Sequence, residues 1–180
     1  MQSEEQFRFE TAIRTAKLML TAARTAPKAK GIDNLVMGVA DPSEIEAIAK
    51  KMEEIGNRSH GAGSFLRDAL NIRQAQTMVL LGTRIRVQEV MICGRCGFKN
   101  CVDKENFPDV PCTFNVGDLG IAIGSAVSVA MDQRVDNRVM YTVGQAVLEL
   151  CLLGEDVRIA FGIPLSISAK NPFFDRKKSN

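Results

Sequence analysis

Four of the five cysteines stand within twenty residues: Cys93, Cys96, Cys101 and Cys112, spaced C-x2-C-x4-C-x10-C. Thiols this close in sequence cross-link, bind metal or sit idle, and a disulfide or idle thiols would not explain the clustering. Structural zinc also takes four cysteines, but it favours two C-x2–4-C knuckles set well apart. Cys101 and Cys112 are too widely spaced to make one. Iron prefers thiolate sulfur, and four cysteines complete the terminal coordination of a 4Fe–4S core. One short loop carrying Cys93, Cys96 and Cys101 can wrap three corners while Cys112 arrives from farther along. The spacing favours iron–sulfur, with zinc as the alternative.

The neighbouring residues suit that reading. Gly94 and Gly97 follow the first two cysteines, and backbone without a side chain can turn N–H groups toward sulfur. Phe98 and Phe107 are expected to keep water away, and Arg95 and Lys99 to offset negative charge. Residues 90–117 are therefore read as a metal-binding segment inside a single domain spanning 1–180. Cys151 lies in an apolar stretch and reads as a buried structural thiol.

Composition narrows the class. With 180 residues, 46% apolar and 24% charged, the chain suits one folded domain with a substantial core. The net charge is only +2, with Lys and Arg scattered among acids, which argues against nucleic acid as a partner. The start, MQSEEQFRFE, has no apolar core of a secretory signal. The longest near-apolar run, Leu119 to Met131, is short for a bilayer, so no membrane span is expected. Cysteines without a signal sequence point to the reducing cytoplasm. His60 is the single histidine, leaving little for histidine-based catalysis. Gly56 to Gly61 has phosphate-loop glycine spacing, but Ala62 stands where a lysine is needed.

Periodicity predicts a helix over 5–25 with Phe9, Ile13, Ala16, Leu20 and Ala23 inward, then a strand over 35–39. Asp41-Pro42-Ser43-Glu44 predicts a helix start, with Ile45, Ile48, Ala49, Met52 and Ile55 facing the core. A glycine-rich break over 56–64 precedes another helix through Phe65, Leu66, Ala69 and Ile72. Thr77 to Leu81 reads as a buried strand and Val87 to Ile92 as an extended piece. Asp118 reads as the cap of a helix over 119–132 that is apolar nearly all round and so buried on every side. Its rows of small residues, Gly120-Gly124-Ser128 and Ala122-Ala126-Ala130, would let a neighbouring helix approach closely, as at a subunit interface. Arg138 to Thr142 reads as a strand, Gln145 to Leu153 as a helix ended by Gly154, and Val157 to Ile163 as a last strand.

The tract CGRCGFKNC resembles the C-x2-C-G-x3-C segment of a ferredoxin-like 4Fe–4S family. The fourth cysteine departs from that pattern, because only ten residues separate it from the third and Pro111 precedes it. A second likeness covers more of the chain. LMLTAARTAPKAKGIDNLVMGVAD is similar to the first helix, Ala-Pro turn and first strand of nitroreductase-like flavoproteins. DLGIAIGSAVSVAMDQ resembles their central helix, and VRIAFGIPL their closing strand. Together these pieces resemble the ferredoxin-domain proteins of unknown function. That likeness implies an α+β fold with a central, mostly antiparallel sheet packed by helices, carrying a cysteine-rich insertion, and a homodimer.

The nitroreductase likeness raises FMN as a second cofactor. The Arg-x-Ser-x-Arg start that holds the flavin phosphate in that family is replaced here by Gln2, Ser3, Glu4 and Glu5. Lys28, Lys30, Lys170 and Arg176 are the candidates left for a phosphate, against a reading as solvated surface charges. The function expected from the residues and the likeness together is one-electron transfer by a 4Fe–4S protein in an oxygen-poor setting, linked to a flavin or not, with a redox partner the sequence does not name. The alternative is a binding or regulatory module stapled by zinc or a structural cluster.

Overall fold

Residues 1–58, 60 and 62–176 are described by a computed structural model. Ser59 and Gly61 of the glycine-rich break, and the last four residues of the basic tail, lie outside the described residues. Four strands, β1 (Leu35–Ala40), β2 (Thr77–Arg84), β3 (Asp136–Asn137) and β4 (Val157–Ser166), form one antiparallel sheet in the order β1-β2-β4-β3. Central β2 reads as a continuous apolar run because helices cover both its faces. Met78 and Leu80 point into one core, with α2 (Pro42–Arg58), α3 (Gly63–Ile72) and α6 (Tyr141–Glu149). Val79 and Leu81 point into the other, with α1 (Glu4–Thr25) and α5 (Thr113–Asp132). Two-residue alternation along one strand thus serves two separate cores.

The start of α2 forms as its sequence predicts. Asp41 Oδ1 accepts from the backbone N–H of Ser43 (2.8 Å) and Glu44 (2.9 Å), and Glu44 Oε2 accepts from Asp41 N–H (2.9 Å). Two helix-end donors and the cap's own N–H are satisfied at once. Ile45, Ile48, Ala49, Met52 and Ile55 are all buried. Arg73, just past α3, ties that helix to α2 through Glu46 (2.9 Å) and Glu53 (2.5 Å). Its hydrogen bonds hold both carboxyls below the ordinary glutamate range. Depressed folded-state values mean stability that is complete above the unfolded value and lost as pH falls through the depressed ones. The urea midpoint should therefore drop in acid, below about pH 4.3, and Arg73→Met should make that drop shallower.

Several expectations are corrected. In α1 the buried face is Ala12, Thr15, Ala16, Met19 and Ala23, while Phe9 is exposed and Ile13 and Leu20 are half-buried. Small side chains win the contact because α1 lies close against the alanine row of α5. That helix begins at Thr113, with Cys112 at its N-cap, so Asp118 is one turn inside it and caps nothing. Nor is α5 buried on every side: Leu119, Ala122, Ala126 and Ala130 are, whereas Ile121 is 49% and Met131 61% exposed. By length and composition this helix could cross a membrane, so the short run read from sequence understated it; its alanine face is packed in the α1–α5 core.

Val87 to Ile92 forms no strand. The strand read over 138–142 shrinks to a single bridge, Met140 to Gly162, and α6 starts at Tyr141. Pro164 explains the gap, because it has no N–H to continue a ladder toward the β3 side of β4.

Helix α6 ends at Glu149, not near Gly154, and Cys151 is exposed, not buried in a helix. Leu152 N–H reaches Val147 O (3.2 Å) and Cys151 N–H reaches Leu148 O (3.1 Å), the paired bonds of a Schellman ending. Cys151 takes the left-handed position, φ +52, which disfavours any side chain. Cys151→Gly should raise stability by about 0.5–1 kcal/mol, seen as a higher urea midpoint at unchanged slope.

Candidate metal centre

The segment between β2 and α5 is held by its neighbours, not by strand pairing. Arg86 N–H donates to Asn115 Oδ1 at 2.7 Å, on the first turns of α5. Thr113 Oγ1 donates to Arg95 O at 3.4 Å. The chain turns sharply here: Glu89 and Ile92 adopt φ +50 and +54, and Gly94 and Gly97 adopt +63 and +90. A β-branched residue seldom takes that conformation, so the bend at Ile92 is strained, immediately before the first cysteine. After Gly97, Asn100 caps a short helix, α4 (Cys101–Glu105), by accepting Asp103 N–H at 2.8 Å.

This path brings Cys93, Cys96, Cys101 and Cys112 to the wall of one cavity, with an envelope of about 340 Å³ including its open mouth. Cys112 is buried and the other three are half-buried. Among the described residues, no three His, Cys, Asp or Glu side chains are placed to share a single ion. The space between the walls has room for a water-sized sphere. Four cysteine sulfurs on the wall of one cavity are a soft donor set that fits a metal centre, whether one ion or a cluster.

Val87, Val90 and Phe114 supply apolar wall. Phe98 and Phe107, expected to do this, instead stack on each other at 5.0 Å away from the cavity wall, and Phe107 is 52% exposed. Arg95 and Lys99 are also exposed. The cation at the cavity is Lys104, only 3% exposed. Gln88 lines it too, and neither its Oε1 nor its Nε2 has a hydrogen-bond partner. Leaving a buried polar group unpaired costs about 1–3 kcal/mol, so these atoms suit a cavity that takes up a polar or charged guest. Sequence reading missed both residues. For Lys104 there was a signal: a capping Asn at 100 starts a helix that sets residue 104 on the face of Cys101.

A family described as uncharacterized proteins containing a ferredoxin domain (DUF2148) matches residues 108–176. Of the four clustered cysteines, that match contains Cys112 alone. An uncharacterized protein of Archaeoglobus fulgidus is 39% identical over 181 residues, covering 97% of this chain and 96% of its own length. The chain belongs to this ferredoxin-domain family.

Among solved structures, a nitroreductase with bound FMN from Bacteroides fragilis aligns with a TM-score of 0.61 at 11% identity, covering 93% of this chain and 83% of its own. Another with bound FMN, from Desulfitobacterium hafniense, aligns with a TM-score of 0.60 at 15% identity, covering 94% and 80%. The family member described here therefore has the nitroreductase-like α+β fold.

The four basic residues considered for a flavin phosphate do not come together. Lys28 Nζ donates to the carbonyls of Ala23 (3.1 Å), Arg24 (2.7 Å) and Ala26 (2.7 Å), closing the end of α1. Lys30 reaches Glu89 O at 3.5 Å. Lys170 pairs with Asp175 at 2.7 Å, and Lys170 and Arg176 line different hollows. The first turn of α1 carries Glu4 and Glu5, which repel an anion. These residues do not fit a flavin phosphate. At the opposite end of α1, just past its last turn, Asp118 accepts Ala29 N–H at 3.1 Å, and burial pushes its carboxyl above the ordinary range.

Proposed function

We propose that this chain is a cytoplasmic one-electron redox protein whose Cys93, Cys96, Cys101 and Cys112 hold a 4Fe–4S cluster. The supporting observation is that all four line the wall of one cavity, and their spacing favours a cluster over zinc. Such a cluster, when bound, stores and passes single electrons. The chain's own residues do the rest. Val87, Val90 and Phe114 exclude water, and the turn through Gly94 and Gly97 lets one loop present three cysteines. Cys93 and Cys101 also line an outer hollow with Met91, Ile92 and Val102, so the site lies one residue from solvent. A redox partner would exchange electrons from that side. The exposed outer face of α5, where Gly120 and Gly124 meet nothing within 4 Å, is where a homodimer would form.

Anaerobic purification tests the reading. A brown protein with broad absorbance near about 400 nm and about four irons per chain supports it. Colourless protein with one zinc per chain would replace it with a structural staple. A yellow chromophore released on heating would show a flavin as a second cofactor.

A further inference from the structure

We infer that Lys104 is the counter-charge of the cysteine cavity and Gln88 its amide donor, and that the two set how readily the site accepts an electron. The inference rests on the cluster reading above. Four thiolates and four sulfides outweigh the charge of the iron, so the assembly these cysteines would hold is an anion, and one added electron makes it more so. A cation beside it favours the reduced form.

Arg95 and Lys99 cannot do this well, because exposed charges are screened by water and salt. Lys104 can, since it is 3% exposed and lines the cavity. Asp103 and Glu105 flank it in the chain but are exposed, and among the described residues it takes part in no ion pair. A buried cation is tolerated where an opposite charge is supplied, and the cysteine thiolates are the groups in the same wall able to supply it. Gln88 stands in the same position for hydrogen bonding. Its amide is 1% exposed and unpartnered, and an N–H directed at a cluster sulfur stabilises the reduced form as a charge does. The competing account is that Lys104 packs only its aliphatic stem.

Redox titration of anaerobically purified, cluster-loaded protein separates these accounts. Lys104→Met keeps the stem and removes the charge. It should lower the reduced-to-oxidised ratio at fixed ambient potential about tenfold, a downshift of about 59 mV for one electron. Lys104→Arg should stay near the parent protein, Gln88→Leu should shift in the same direction by less, and Lys99→Met should not shift. If Lys104→Met holds no iron while Lys104→Arg and Gln88→Leu do, the charge requirement is read from retention instead. Full iron with an unchanged potential in both Lys104→Met and Gln88→Leu overturns the inference and leaves the cluster reading standing. A parent protein without iron overturns the cluster reading itself, and this inference with it.

Discussion

Gly144→Ala should leave little folded protein. A Cβ built at this position lies 1.7 Å from the carbonyl oxygen of Ala160 and 2.4 Å from its carbon, where contact is ordinary at 3.4–4 Å. The atoms it meets are backbone of β4, which is paired to β2 on one side and bridged to Met140 on the other. No rotamer change relieves such a clash. Helix α6 would have to lift off the sheet, opening the core where Val143, Ala146 and Val147 meet Met78 and Ala160. Overpacking a core usually costs about 1–3 kcal/mol, and a clash against fixed backbone belongs at or above the top of that range. Set against a typical total of about 5–15 kcal/mol, the loss is severe. Soluble yield and the urea midpoint check it, with Gly38→Ala as the control. That glycine, on β1, meets nothing within 4 Å, and alanine should favour the strand there by about 0.5–1 kcal/mol.

The elements legible in the sequence were those whose signals are local. Asp41-Pro42-Ser43-Glu44 started α2 where expected because cap, proline and acid act within one turn. The cysteine spacing likewise placed four sulfurs on one short stretch, and the fold brings them to one wall. The failures came where a residue's role is set by something distant in sequence. Asp118 looked like a cap but is buried mid-helix as the acceptor for Ala29, eighty-nine positions away. Asn115, on the same face of α5, serves Arg86 in the same manner. Arg138 to Thr142 has strand-forming residues, yet the partner strand offers no N–H at Pro164. Phe9 looked like core, but the close approach of α1 and α5 selects alanines. Gln88 carries no periodic mark of burial, and Lys104, between Asp103 and Glu105, carries only its helix step from Cys101. Only the folding of residues 85–112 around the cavity makes them interior.

Cys96→Ser should abolish the cluster, taking iron from about four per chain to below about one, with the visible absorbance lost. A serine hydroxyl is a hard oxygen donor and stays protonated at neutral pH, so one corner loses its soft anionic ligand. Cys151→Ser should change nothing in the spectrum, because Cys151 sits in the exposed turn after α6 and does not line the cavity. The more telling substitution is Cys112→Ser. Cys112 occupies the N-cap of α5, accepts Val116 N–H through its carbonyl at 3.3 Å, and makes no side-chain capping bond. Serine is a preferred N-cap residue, its side chain being worth about 0.5–2 kcal/mol over alanine there. The same change that removes the fourth ligand should therefore strengthen the helix it precedes. Iron content should fall while the thermal midpoint of the metal-free protein holds or rises. If Cys112→Ser kept its full iron, the fourth ligand would have to come from elsewhere; if iron and metal-free stability fell together, Cys112 would be acting through the helix start and not through its sulfur.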